Sequence, residues 1–319
     1  MNVEFDGVEI GPIAGKARVK RSGGRELSPG LLCVVINLPT LVFLALVLAY
    51  PIVFAGYLSF HKVAVGNLRS GVYPFIGFEN FRRIFADPLF LISLENTLIF
   101  TFVAVGTEIV LAVAIALLMS YSTIWTSRVL KMLVLLPFAV PPIANGLIWT
   151  FIYSFNFGFL NRVLLSLGLI STPINWIGNP NSALYLLALP YVWRSLPFAI
   201  LLVHAALQDL NPALYEAAAL DGATAWGRFR YITLPLLKPV IVVILVLRTS
   251  TAMTVFEEVL AITHGGPGDA TWTAAWYSYR QSFAPPFDIG IGSASAYVLG
   301  VIIAICAIVY VKLIYRKIG

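Results

Sequence analysis

Two arginines stand in stretches of sequence that otherwise carry almost no charge. Arg194 lies in the apolar run 182–207 and Arg248 in 239–261. A planar guanidinium can grip a carboxylate, sulfonate or phosphate at two points. It can also pair with an acid of its own chain. Candidates for that second role are Glu108, the one charge in the run 96–120, and Glu257 and Glu258 near the far end of 239–261. Catalytic chemistry is poorly supplied. The histidines are His61, His204 and His264, and neither H-E-x-x-H nor G-x-S-x-G occurs. Gly11-Pro-Ile-Ala-Gly15-Lys16 is one residue short of a phosphate-binding loop and is followed by Ala17. It also lies in a polar tail, not between a strand and a helix. Cys33 and Cys306 both fall in uncharged apolar runs, which suggests neither a disulfide framework nor a metal site.

Composition sets the elements that must hold these residues. Of 319 residues, 59% are hydrophobic and 11% charged, and the mean hydropathy is +0.88. Soluble domains carry about 25% charged and about 45–50% apolar residues. An ordinary cytosolic enzyme and a secreted domain are therefore excluded, as is a disordered chain, which needs the opposite balance. A membrane-spanning helix takes about 20 apolar residues. Six stretches qualify: 31–60, 96–120, 132–157, 182–207, 239–261 and 289–311. Helices are the spanning form, because no alternating barrel pattern is present and every backbone group must be paired in lipid. At a helical rise of 1.5 Å per residue, Arg194 lies about 17 Å and Arg248 about 14 Å into its span. Both fall near the midplane, where a charge costs about 2.5–3.5 kcal/mol and faces a bundle interior or a wet cavity. Two cations at one depth predict a cavity for an acidic or strongly hydrogen-bonding solute. Pairing with Glu108, Glu257 or Glu258, or with carbonyls freed by nearby prolines, is the alternative.

The first 30 residues are polar, hold five basic residues, and precede an apolar run too long for a signal-peptide core, which predicts a retained anchor helix. Six spans put both termini on one side. That side collects 13 of the 21 basic residues and the opposite side 6, so both termini are expected in the cytoplasm. Those loops account for the net charge of +6 without nucleic-acid binding. The loop 61–95 holds an Asp87-Pro88 turn. The loop 158–181 holds a leucine-rich piece at 163–169, predicted as a short interfacial helix, then Pro173 and Trp176. The loop 263–288 opens on Gly265-Gly266-Pro267-Gly268, a strong turn signal.

The longest loop between spans on the terminal side runs from 208 to 239. Asn211 is a good N-cap and Pro212 suits the first helical position. The helix then continues through Tyr215, Glu216 and Ala217-Ala218-Ala219, and Gly222 is placed to end it. Thr224 is expected to cap a second short helix that stops before Pro235. Two short helices joined at a glycine make a projecting lever, whose alanine face can sit close against a partner's groove. The alternative is a loop packed under its own bundle.

Glu216-Ala217-Ala218, Asp221-Gly222-Ala223, and then Ile232, Leu234 and Pro235 resemble the EAA loop of binding-protein-dependent ABC importer permeases. The resemblance implies that Tyr215, Glu216, Ala217, Ala218, Asp221, Gly222 and Ala223 dock in a cleft of a separate ATPase and carry its stroke to the membrane helices. Other segments are similar to the carbohydrate-uptake branch, in the manner of the maltose and glycerol-phosphate importer permeases. These are Gly77-Phe78-Glu79-Asn80-Phe81 with Asp87; Asn96-Thr97; Pro137 to Pro142 as a proline-broken third span; Thr263-His264-Gly265-Gly266-Pro267 with Thr271; and Asp288, Gly290, Gly292 and Ala294. The likeness covers residues 31–315 and matches the compact six-span form.

The resemblance implies an all-α integral membrane protein with the type I ABC importer permease fold. A cytoplasmic tail, 1–30, would precede a six-span domain, 31–315, with its EAA loop at 208–238 and a C-terminus at 316–319. It implies a bacterial or archaeal inner membrane, a second permease subunit, two ATP-binding subunits and an extracytoplasmic solute-binding protein. ATP and magnesium would sit on the ATPase, leaving this chain without cofactor, metal or catalytic residue. The spans flanking the loop would line the solute cavity with Tyr191, Arg194, Ser195, Arg248 and Thr251. Asn145 and Trp149, just after the proline break, would add to it, although Trp149 reads better as packed or lipid-facing. Glu257 and Glu258 would serve a gate or a binding-protein contact. The expected solute is a saccharide or polyol, which the two arginines tilt toward a sulfonated, carboxylated or phosphorylated sugar. An importer of a non-sugar solute is one alternative. An ion-coupled secondary transporter is another, but it predicts inverted repeats and carboxylate relays, whereas no repeat shows and Glu108 alone among the acids lies deep in a span. A membrane enzyme would need clustered catalytic groups.

Overall fold

The computed structural model describes residues 29–120 and 124–315, with side chains described for 33–120 and 129–312. The polar tail with its Gly11–Lys16 string, Arg316, Lys317 and the side chain of Arg128 lie outside the described residues. Backbone contacts divide the chain into two units that meet at Ile52 and Val53. The first carries α1 (Pro29–Leu44), a π-helical turn (Ala45–Ala49) and the start of α2 (Tyr50–Ser59). It is apolar on all sides, and the Asn37 amide is satisfied within it by donating to the Cys33 carbonyl at 2.7 Å.

The second unit continues with α3 (Val65–Leu68), α4 (Glu79–Ala86) and α5 (Pro88–Ser120). Asp87 starts α5: its Oδ1 accepts from the Leu89 N–H at 2.9 Å while Pro88 takes the first helical position. The 33 residues of α5 extend eight residues before the apolar run read from sequence. At 1.5 Å per residue that is about 50 Å, longer than a hydrocarbon core of about 30 Å. The first turns therefore rise above the lipid, where Asn96 donates to the Asp269 and Trp272 carbonyls and Thr97 Oγ1 accepts from Ala274 N–H.

The third apolar run is not one straight span. After α6 (Ile124–Leu135) a 3-10 turn (Leu136–Ala139) leads to α7 (Pro142–Ile152), and the two halves are bent by 98°. Pro137, Pro141 and Pro142 cannot supply helical N–H groups, and Pro142 instead opens a new helix. The short α8 (Phe159–Ser166) starts four residues before the leucine-rich piece read as helical. Next comes α9 (Pro180–Gln208), capped by Asn179, whose Oδ1 accepts from Asn181 N–H at 3.0 Å. Pro190 interrupts its hydrogen-bond ladder and frees the Leu186 carbonyl. Tyr153 Oη donates to that oxygen at 3.0 Å.

The projecting loop follows. Its α10 (Pro212–Leu220) has Asn211 as N-cap, accepting from Ala213 N–H at 3.0 Å, and ends at Gly222 with φ +78°. The Ala223 N–H returns to the Ala218 carbonyl at 2.9 Å, closing the helix end as expected. Thr224 caps α11 (Ala225–Arg228), accepting from Gly227 N–H at 3.1 Å. The expected stop before Pro235 does not occur. α11 runs through a π turn (Phe229–Thr233) into α12 (Leu234–Met253) as one continuous span. The Leu234 N–H reaches back to the Phe229 carbonyl, and this widened turn accommodates the proline just after it. The far end is corrected too. α12 ends at Met253, not near 261, so Glu257 and Glu258 lie beyond it, ahead of a second π turn (Val259–Thr263).

That turn packs on α7. Gly146 makes the approach possible, since a Cβ there would lie 2.4 Å from Ala261 Cβ, and Thr150 Oγ1 donates to the Ala261 carbonyl at 2.9 Å. The chain closes with α13 (Ala274–Phe283) and α14 (Ile289–Tyr315). A cap joins the segments between spans: Asn80 donates to the Ser59 and His61 carbonyls, both at 2.9 Å, and Arg83 lies 3.3 Å from Asp288. Tyr277 Oη donates to Asp87 at 2.6 Å; burial and that carboxylate raise the phenol pKa. Among the described residues there is no strand, only the isolated bridges His61–Phe75 and Ala64–Asp288. Among the described residues, five helices are long and apolar enough to span a membrane, or six with the bent pair counted as one. The principal core lies where α5, α9, α12 and α13 meet, around Phe100, Leu187, Tyr191, Ala252 and Trp276.

Gly146→Leu should therefore cost about 1–3 kcal/mol by overpacking against the second π turn, read as a lower thermal midpoint in detergent. Gly300→Leu, at a position with no atom within 4 Å of the added Cβ, should leave the midpoint unchanged.

Candidate functional site

Glu108 projects from α5 with no exposed side-chain surface. Arg248 on α12 meets it: Nε lies 2.9 Å from one carboxylate oxygen and 3.0 Å from the other. The same guanidinium donates from Nη2 to Tyr191 Oη on α9 at 3.1 Å, and its carbon stands 5.3 Å from the centre of the tyrosine ring. Tyr191 Oη also lies 2.9 Å from Thr251 Oγ1, and Phe100 meets the ring edge-on at 5.4 Å. This node joins three spans through charge-assisted hydrogen bonds in a low-dielectric setting.

A second pair is looser. Arg194 on α9 approaches Glu258 through one contact of 3.3 Å. Glu258 is 1% exposed and Arg194 22% exposed. Arg194 Nε has no hydrogen-bond partner among the described residues. One turn earlier, Asn145 of α7 donates to the Pro190 carbonyl at 3.1 Å, while its own Oδ1 is left without a partner among those residues. Trp149 and Trp193 meet edge-on at 6.3 Å beside this junction.

The residues singled out in the sequence thus fall into separate sets. Tyr191, Arg248 and Thr251 form one node with Glu108. Arg194 belongs to a second, with Glu258. Ser195 is buried, bonds its own helix at the Val192 carbonyl, 3.3 Å away, and also interacts with Glu108. Asn145 joins α7 to α9. The two arginines are not free cations, because each has a buried carboxylate; Glu257 makes no ion pair among the described residues. Sequence reasoning missed Tyr153, although Pro190 within an apolar run was the available signal that some donor must serve the Leu186 carbonyl. It also missed Trp193, for which nothing in the spacing stands out.

The loop around α10 presents a different surface. Glu216, Ala217, Asp221 and Gly222 are exposed, Ala218 and Ala223 half-buried, and Leu220 is 91% exposed. Tyr215 is the tether, with its hydroxyl 2.9 Å from Thr233 Oγ1 at the π turn. α10 therefore hangs from the spans by its inner face and leaves its outer face without a partner among the described residues.

Residues 108–319, which carry the buried node and the loop, match the family described as binding-protein-dependent transport system inner membrane component. The chain belongs to this family. As an inner membrane component it is 36% identical over 288 residues to the trehalose/maltose transport system permease protein MalF of Thermococcus litoralis, a match covering 90% of this chain and 94% of that relative. It is 37% identical over 295 residues to the sulfoquinovosyl glycerol transport system permease protein SmoG of Agrobacterium fabrum, covering 92% and 93%. Its fold matches a chain from the crystal structure of a bacterial alginate ABC transporter in complex with an alginate pentasaccharide-bound periplasmic protein. The TM-score is 0.75 at 22% identity, over 90% of this chain and 94% of that one. The all-helical architecture is thus that of a type I ABC importer permease.

Removing one partner of a buried ion pair leaves the other charge uncompensated, at a cost of about 3–5 kcal/mol. Arg248→Met in this inner membrane component should therefore sharply lower the thermal midpoint in detergent. Glu108→Gln combined with Arg248→Met should recover most of the loss.

Proposed function

We propose that this inner membrane component is one of two permease subunits of an ATP-driven importer that moves a sugar or sugar derivative into the cytoplasm by alternating access. The observation that carries the reading is the exposed α10 loop, capped at both ends and tethered by Tyr215 to a span that is continuous with it. A surface so well ordered and so little covered suits a docking partner. That partner is an ATPase pair holding ATP and magnesium, since this chain carries no phosphate-binding loop of its own. An extracytoplasmic binding protein would deliver the solute, and both termini would lie in the cytoplasm.

The relatives support the solute class. Besides the trehalose/maltose and sulfoquinovosyl glycerol permeases, they include the lactose permease protein LacF of Rhizobium radiobacter, 30% identical over 84% of this chain. In the proposed solute path, Thr251 is exposed and Arg194 partly exposed, while Tyr191, Ser195 and Asn145 are buried. Arg194 keeps 22% of its side chain exposed beside a single 3.3 Å contact to Glu258, which leaves part of its guanidinium for a solute hydroxyl or an acidic substituent. Arg248, bound to both Glu108 and Tyr191, acts by holding Tyr191 and Thr251 in place.

In cells expressing the full importer, Glu216→Lys or Gly222→Val should abolish uptake and the stimulation of ATP hydrolysis by binding protein. Arg194→Ala should lower uptake about tenfold, the worth of a charged hydrogen bond, with the complex still assembled. Coupled uptake that survives both loop changes would overturn the lever. Accumulation of solute by the purified chain alone in proteoliposomes would favour a secondary transporter instead.

A further inference from the structure

A trough of about 820 Å3 opens between α5 and the strip that runs from α11 through the first π turn into α12. Ile109, Val113 and Leu117 form one wall at four-residue spacing, and Phe229 stands in the other. At 1.5 Å per residue the α5 wall rises about 12 Å from Leu117 to Ile109, toward the middle of the span. The polar lining is confined to the mouth. There Tyr215 and Thr233 satisfy each other, which leaves the guanidinium of Arg228 as the charged group of the lining. Arg228 makes no ion pair or side-chain hydrogen bond among the described residues. Arg230 and Lys238 follow on the same strip, both exposed, and the acids of α10 and its end, Glu216 and Asp221, pair with none of the three.

We infer that this trough binds a phospholipid with an anionic headgroup, one acyl chain lying along α5 and the phosphate against Arg228. The chemistry is matched at both ends. An apolar ligand would leave the guanidinium without a counter-charge, and a soluble anion would leave the hydrocarbon wall uncovered. Basic pockets between spans at the membrane surface attract anionic headgroups, and an arginine stem can lie on apolar surface while its head stays at the interface. Since one wall is the span continuous with the α10 loop, the lipid would brace that loop against α5. The inference does not depend on which solute is carried.

The test uses Trp226, which lines the trough and is 67% exposed. The full chain is placed in nanodiscs containing bromine-labelled phosphatidylglycerol or bromine-labelled phosphatidylcholine, and the quenching that Trp226→Phe removes is taken as the signal. Phosphatidylglycerol should be preferred about fivefold, the worth of one arginine beside an anionic headgroup. Arg228→Gln should abolish that preference and Arg228→Lys should keep it. Equal quenching by the two lipids would overturn the headgroup assignment. Absence of any Trp226-dependent quenching would overturn the lipid itself and point to a protein segment in the trough. If Arg228→Gln does not fold, the comparison of the two lipids on the unaltered chain still decides.

Discussion

A carboxylate with no access to solvent, on a helix that crosses lipid, is tolerable only if a cation comes to it. Glu108 has that cation in Arg248, and the rest of the membrane core is arranged around their meeting. Arg248 must enter from α12, so α12 lies against α5. Its second donor needs an acceptor, so Tyr191 brings α9 to the same point, and Thr251 closes the ring one turn further along α12. Dispersion among alanines and leucines would hold these helices together in several registers, because lipid tails are as apolar as the side chains they replace. Directional hydrogen bonds among four named side chains select one. Stability is not the main gain, since a buried ion pair roughly balances its own desolvation. A defined register is.

The prolines follow a related logic. In water a proline inside a helix merely breaks a hydrogen bond, but in lipid it also leaves a carbonyl that must be served. Pro190 frees the Leu186 carbonyl, and Tyr153 arrives from the end of α7 to donate to it. The carbonyl of Pro190 itself receives Asn145 from the other end of α7. α7 is thus stitched to α9 at two points, one of which, the Leu186 carbonyl, a regular helix would not have offered. Its remaining face is taken by the second π turn, through Gly146 and Thr150. The half-span created by the break at Pro141 and Pro142 therefore has its own polar fastenings and does not rely on lipid-facing leucines.

Hydropathy made the spans legible, because about 20 apolar residues in a row have few other uses. Cap chemistry made α10 legible, since Asn211, Pro212, Gly222 and Thr224 each act through local backbone geometry. What could not be read depended on contacts distant in sequence. Glu108 and Arg248 are 140 residues apart, and nothing in either run says that they meet rather than face a cavity. The end of α12 at Met253 was hidden because Val259–Thr263 is as apolar as the helix before it. Its reversal is set by packing on Gly146, more than a hundred residues away. The continuity of the fifth span through Pro235 was hidden for a different reason. Proline at that point reads as a stop unless the preceding turn widens, and a π turn has no reliable signature in composition.

That continuity has a mechanical consequence for the proposed importer. Had the helix stopped before Pro235, the joint would have been a hinge, and a push on the loop would have been absorbed there. Because α11, the first π turn and α12 form one rod, the segment from Arg228 to Arg248 is about 30 Å of unbroken helix. A displacement of α10 enters the rod at Thr233 through Tyr215, and leaves it at Arg248, where α5 and α9 are bound. The tight node would then move as a unit. The single 3.3 Å contact between Arg194 and Glu258 lies past the end of the rod, on a segment anchored to α7 instead. Motion of one helix set against the other must strain that contact first, since it has the fewest bonds to lose. The more exposed and less satisfied arginine is therefore the one whose carboxylate contact a conformational change in the proposed importer would break first.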